Sequence, residues 1–133
     1  MTRYRRCFAV VCATLAIVTP LATAKRVSPK PVPPVVADGV QYSAEGDGKN
    51  QYVVATDVSS GKQLWKVRVF HTPIKSSVEE DVQWVFVTDL KLIDNSVFVR
   101  DEKARCYAIP LSTHRVRKAP CGTVFTRPET LTP

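Results

Sequence analysis

The residues able to do chemistry are few, and their spacing limits what they can do. The 133-residue chain has two histidines, His71 and His114, and neither has a recognisable nucleophile motif beside it. The run Glu79-Glu80-Asp81 offers carboxylates for a cation or for paired acid–base work, with His71 as a partner. It lacks the glycine and alternating acids of a calcium loop, and the first turn of a helix or a solvated loop explains it as well. Glu45 and Asp47 fall close together in "EGDGKN", where a strand-to-strand turn suffices. A zinc site built from Cys106, Cys121, His71 and His114 has no C-x-x-C or H-x-x-x-H spacing behind it. A phosphate cradle needs a glycine-rich loop leading into a helix, and no such stretch is present. No catalytic, cofactor-binding or metal-binding residue is therefore assigned from the sequence.

The ends of the chain set its expected compartment. Arg3, Arg5 and Arg6 precede the uncharged run "CFAVVCATLAIV" (7–18), Pro20 breaks it, and Ala22-Thr23-Ala24 has the small-x-small pattern. These three parts make a signal peptide over 1–24, cleaved between Ala24 and Lys25, in a periplasmic or secreted protein. The apolar run falls short of the roughly 20 residues a span needs, so no membrane span is expected after cleavage. Bulky Val11 before Cys12 argues against lipid attachment there.

Removing 24 residues leaves 109, one small domain, and three arginines go with them, so the net charge falls from +7 to +4. The remaining cations (Lys62, Lys66, Arg68, Lys91) are scattered singly and not interleaved with aromatics, so no nucleic-acid partner is expected. Cys7 and Cys12 leave with the leader. Cys106 and Cys121 remain as an even pair in an oxidising compartment, where a disulfide is favoured over two buried thiols. It would close a loop of about 16 residues and contribute roughly 3 kcal/mol on a chain-entropy account.

The elements that must position these residues read as strands. "KRVSPKPVPPVVA" (25–37) carries four prolines and no hydrophobic period, so it is expected to be a proline-rich linker. A β domain follows over 38–122 and a tail over 123–133. "QLWKVRVF" (63–70) alternates, with Trp65, Val67 and Val69 on one face and Lys66 and Arg68 on the other. "VQWVFVTDLKLI" (82–93) is apolar on both faces and is the expected centre of the sheet. Ser77 before "VEED" is a candidate cap for one helical turn. Short connections make sequence neighbours pair antiparallel, so the fold class is all-β, a meander of about six or seven strands.

The stretch "ATDVSSGKQLW" (55–65) is a well-made hairpin turn. Asp57 can fold its carboxylate onto the following amides, and Gly61 supplies a positive φ. Its pattern resembles the repeat of quinoprotein-type (PQQ-like) β-propellers. Ala55, Asp57, Ser60, Gly61 and Trp65 occupy the motif positions, with Ser60 where threonine is usual. The resemblance implies a propeller-blade-like sheet in which this turn joins the third and fourth strands and the tryptophan docks against a neighbouring blade. A second, decayed copy, "RCYAIPLSTHRVRK" (105–118), sets Ala108 over Ala55. Pro110 replaces the aspartate, His114 the glycine, and no tryptophan follows, so its turn is expected to be built differently. The resemblance does not carry a cofactor with it, because quinone chemistry there needs a closed ring and this chain has length for about two blades. An open fragment must curl into a small sandwich or half-barrel, associate with copies of itself, or cover its face with another protein.

Three function classes follow. The first is a non-enzymatic interaction or scaffold module of the cell envelope, with a protein partner or self-association and no cofactor. The second is a small secreted enzyme or ligand-binding protein using the 71–81 loop. The third is a disulfide-containing inhibitor.

Overall fold

Alternating residues and tight turns give eight strands in two four-stranded antiparallel sheets, each in sequence order and neither closed into a barrel. The computed structural model describes residues 25–125. The expected leader (1–24), with its cleavage point after Ala24, and residues 126–133 of the tail lie outside the described residues. Sheet one comprises β1 (Val35–Ala37), β2 (Val40–Gly46), β3 (Asn50–Asp57) and β4 (Gln63–His71). Sheet two comprises β5 (Val87–Ile93), β6 (Ser96–Asp101), β7 (Cys106–Pro110) and β8 (Arg117–Ala119). No helix among the described residues is long and apolar enough to cross a membrane.

The sheets repeat one plan. Each opens on a two-residue loop whose residues both have positive φ, Asp38-Gly39 in one and Asp94-Asn95 in the other. That is the twist a hairpin needs. The Val58 amide donates to the Gly39 carbonyl at 2.9 Å, and the Leu111 amide donates to the Asn95 carbonyl at 3.0 Å. Three residues before each of these amides stand Ala55 and Ala108.

This equivalence fixes how the sheets stack. Tyr42, Ala55 and Trp65 lie side by side across β2, β3 and β4, and the matching row in sheet two is Phe98, Ala108 and Arg117. Tyr42 and Ala55 belong to the shared core and Trp65 packs on it, so the first row faces sheet two. In sheet two the core residues are Val97, Val99, Tyr107 and Ile109, which point the other way along their strands. The row of Phe98 therefore faces away from sheet one. The sheets are stacked head to tail, forward face on rear face, and Phe70 of β4 stacks on Tyr107 of β7 at 5.3 Å between ring centroids.

Sheet two's forward face is covered by the chain's own continuation. Cys121 is bridged to Cys106 of β7, with 5.2 Å between their Cα atoms. Lys91 of β5 donates to the Val124 carbonyl at 2.7 Å and holds its ammonium 5.4 Å from the Phe125 ring centroid. Strand β6 lies between these two anchors, so residues 121–125 form a strap across it. Beneath the strap Cys106 and Ala108 are buried. The tail expected from 123 thus begins as an anchored segment.

Three expectations are corrected. The stretch 82–93 is not a central strand: Asp81–Gln83 is a 3-10 turn, the strand starts at Val87, and β5 is an edge. Its two-sided apolar character comes from crossing between the sheets. The Val85 amide donates to the Gly48 carbonyl at 2.9 Å, outside any ladder, and Val85 and Phe86 are buried there. Ser77 caps no helix, and the 3-10 turn has Glu80 at its N-cap with no side-chain cap bond. The proline-rich segment is not a plain spacer, because its last three residues pair as β1, and Val32 packs on the core. The prolines stop at Pro34, which leaves Val35, Val36 and Ala37 with the amides a strand requires.

Candidate functional site

The motif residues build a turn and an inter-sheet dock. The Asp57 carboxylate accepts from the Ser59 hydroxyl at 2.6 Å, the Ser60 amide at 2.8 Å and the Ser60 hydroxyl at 2.9 Å. These donors, the Ser59 hydroxyl first, hold its pKa down at about 2 against an ordinary 3.8. A carboxylate so committed is a turn clasp and a poor base. The Gly61 amide closes the turn onto the Asp57 carbonyl at 2.8 Å, with φ +70° at Gly61.

The second copy corrects the expectation of a different turn. The His114 amide donates to the Pro110 carbonyl at 2.8 Å, and His114 takes φ +54°, the left-handed conformation of Gly61. The Thr113 hydroxyl accepts from the Arg115 amide at 3.4 Å as the Ser60 hydroxyl accepts from the Lys62 amide at 3.2 Å. Only the aspartate clasp is missing. His114 stacks on Trp65 at 4.6 Å between centroids with 30° between planes, and Tyr42 flanks the indole at 5.9 Å. The neighbour that covers Trp65 is supplied by this chain.

The acidic run and His71 do not converge. His71 Nδ1 is 3.1 Å from Asn50 Oδ1, Glu80 pairs with Lys49 at 2.8 Å, and Asp81 Oδ2 accepts from the Arg26 amide at 2.9 Å. The Gln83 side chain ties the loop together, accepting from the Lys75 amide at 2.9 Å and donating to the Lys75 and Val78 carbonyls at 3.0 Å. Glu79, Glu80 and Asp81 line a small hollow with Lys25 that does not include His71 but adjoins the hollow that does, Arg26 and Trp84 lining both. Glu45 pairs with Lys66 at 3.1 Å. Asp47 caps its own turn, and the Asn50 amide, the largest cause, pulls its pKa below the ordinary carboxylate value. Among the described residues no group of three His, Cys, Asp or Glu side chains is placed to hold a metal ion.

An open cleft of about 590 Å³ lies at the end of the molecule opposite the motif turns, where both sheets meet the 72–86 connection. Sequence reasoning did not find it, because its walls come from separated segments. Arg26, from the proline-rich segment, donates to the Trp84 carbonyl at 2.5 Å and to both Glu102 carboxylate oxygens at 2.6 Å. Arg105 is held by the buried carboxylate of Asp101, Nε to Oδ2 at 2.7 Å, and its guanidinium lies 5.6 Å from the Phe70 ring centroid. Lys75 and Lys103 complete a cationic rim in which Glu102 is the one acidic side chain. Thr72 and Trp84 line the same cleft, and the Thr72 hydroxyl and the Trp84 indole N–H are buried without partners. Trp84 is itself pinned on Gly48, where an added Cβ would fall 2.5 Å from its ring.

The cleft thus presents cationic side chains, of which Arg26 and Arg105 are held by carboxylates, beside the exposed Val78 and Val82. No protein-family model matches the chain, and no curated protein matches it in sequence.

Proposed function

We propose that the chain is an exported, non-enzymatic interaction module of the cell envelope, built on two PQQ-like repeats, that binds a protein partner. The observation that carries this is the division of its surfaces. The sheet faces that resemble docking faces are occupied within the chain, Trp65 by His114 and the forward face of sheet two by the strap, whereas the end cleft is open. Export is supported by the three-part leader pattern and by the Cys106–Cys121 bridge, which suits an oxidising compartment. The repeat relationship is supported by the shared turn geometry and the head-to-tail stack. A non-catalytic role is supported by the commitment of His71, Asp57, Glu80 and Asp81 to structural bonds.

In-cell crosslinking of the tagged mature protein, with partners identified by mass, tests this. The expected result is one recurrent envelope protein at stoichiometric yield. Recovery of the protein alone, or a hydrolytic activity abolished by Glu80→Gln, overturns it.

A further inference from the structure

We propose that the end cleft is the partner site and that it takes a short extended peptide carrying both carboxylates and an aliphatic side chain. This rests on the interaction-module reading and adds the chemistry of the ligand.

Charge selects an anion. Arg26, Lys75, Lys103 and Arg105 line the cleft with Glu102 as the one acidic wall residue, while Glu79, Glu80 and Asp81 line the adjoining hollow, where Glu80 pairs with Lys49 and Asp81 accepts from the Arg26 amide. Arg26 spends its guanidinium on Glu102 and the Trp84 carbonyl, but Lys75 and Lys103 have no side-chain partner among the described residues. Arg105 commits only Nε to Asp101, which leaves its terminal nitrogens as donors. A guanidinium already fixed by a buried carboxylate and braced over Phe70 loses little freedom on binding, and the fork suits a carboxylate.

Apolar surface separates a peptide from a simple polyanion. Val78 and Val82, two of the few large hydrophobic side chains left exposed, both stand on this cleft beside Pro73. A phosphate polymer has nothing to place there. A peptide that alternates acidic and aliphatic residues meets the cations and the valines together, and about 590 Å³ accommodates a few residues.

The test titrates the isotope-labelled mature protein with three probes while its amide and indole resonances are followed. The probes are acetyl-Glu-Leu-Glu-Leu-Glu-amide, acetyl-Glu-Ser-Glu-Ser-Glu-amide and inorganic polyphosphate. The leucine peptide is expected to move Thr72, Lys75, Lys103 and the Trp84 indole, and to bind about tenfold tighter than the serine peptide. Lys75→Glu with Lys103→Glu changes two exposed side chains and should leave the melting temperature intact while weakening the leucine peptide about tenfold at low salt. Equal affinity for the serine peptide or polyphosphate, or shifts confined to other surfaces, overturns the proposal. The same double variant, crosslinked in cells, separates the two levels. A partner captured equally by parent and variant refutes the cleft but keeps the module, whereas no partner with either refutes the module.

Discussion

The two sheets share strand order, turn geometry and register, yet their forward faces have different fates. Sheet one presents Tyr42, Ala55 and Trp65 to a second sheet. Sheet two presents Phe98, Ala108 and Arg117 to a disulfide-anchored strap five residues long. The rear faces differ as well. Val99 and Tyr107 of sheet two are buried core. On sheet one the matching row is Ser43, Val54 and Lys66, where Lys66 pairs with Glu45 and lies 4.7 Å from the Tyr52 ring centroid. Val54 is still only 4% exposed there. Two sheets of the same strand order thus differ in sequence where a neighbour begins or ends. A tryptophan stands where one sheet packs on the other and an arginine where none does.

Substitutions at matched positions break this comparison most sharply at the lower turns. Gly48 has φ +89° and Trp84 against it, whereas Ala104 carries a side chain at φ +56° in the matching turn of sheet two. Gly48→Ala should cost about 3 kcal/mol from clash and left-handed strain together, while Ala104→Gly stays within about 1 kcal/mol of the parent. Urea denaturation of both variants measures the gap. The docking row comes next. Trp65→Ala should lose about 3 kcal/mol and Arg117→Ala less than about 0.5 kcal/mol, because only the first removes an inter-sheet anchor. Equal melting temperatures would mean that Trp65 holds nothing together.

The upper turns give smaller effects. An added Cβ at Gly61 meets no atom within 4 Å, so Gly61→Ala should cost about 1 kcal/mol of backbone strain alone. His114→Gly should be nearly neutral, since relief of similar strain is offset by about 1 kcal/mol of lost stacking on Trp65. The smallest effect is an acid limb. The folded pKa of Asp57, about 2, lies below its ordinary 3.8, so its contribution is complete above 3.8 and is lost as pH falls towards 2. Thermal melts between these values should fall less steeply for Asp57→Asn, and no such limb exists at Pro110.

Much of the fold was legible because period-two alternation and turn residues are local. β4 could be read from Trp65, Val67 and Val69, and the 57–61 turn from Asp57 and Gly61. β1 and β8 were missed or blurred because each is three residues long, one following Pro34 and the other carrying Arg117 and Lys118. The 82–93 stretch misled because burial on two sides arises both in a central strand and in a chain passing between sheets. The cleft was not legible at all. Arg26, Trp84, Lys103 and Arg105 become neighbours only after the proline-rich segment and two distant turns reach the same end of the molecule.

The head-to-tail stack has a consequence for assembly. Copies that continued the same forward-on-rear stacking would add heterologously and grow as open filaments or rings, not close as two-fold dimers. The strap occupies the face on which such a copy would add, and the Cys106–Cys121 bridge and the Lys91 hydrogen bond to the Val124 carbonyl hold it there from both sides of β6.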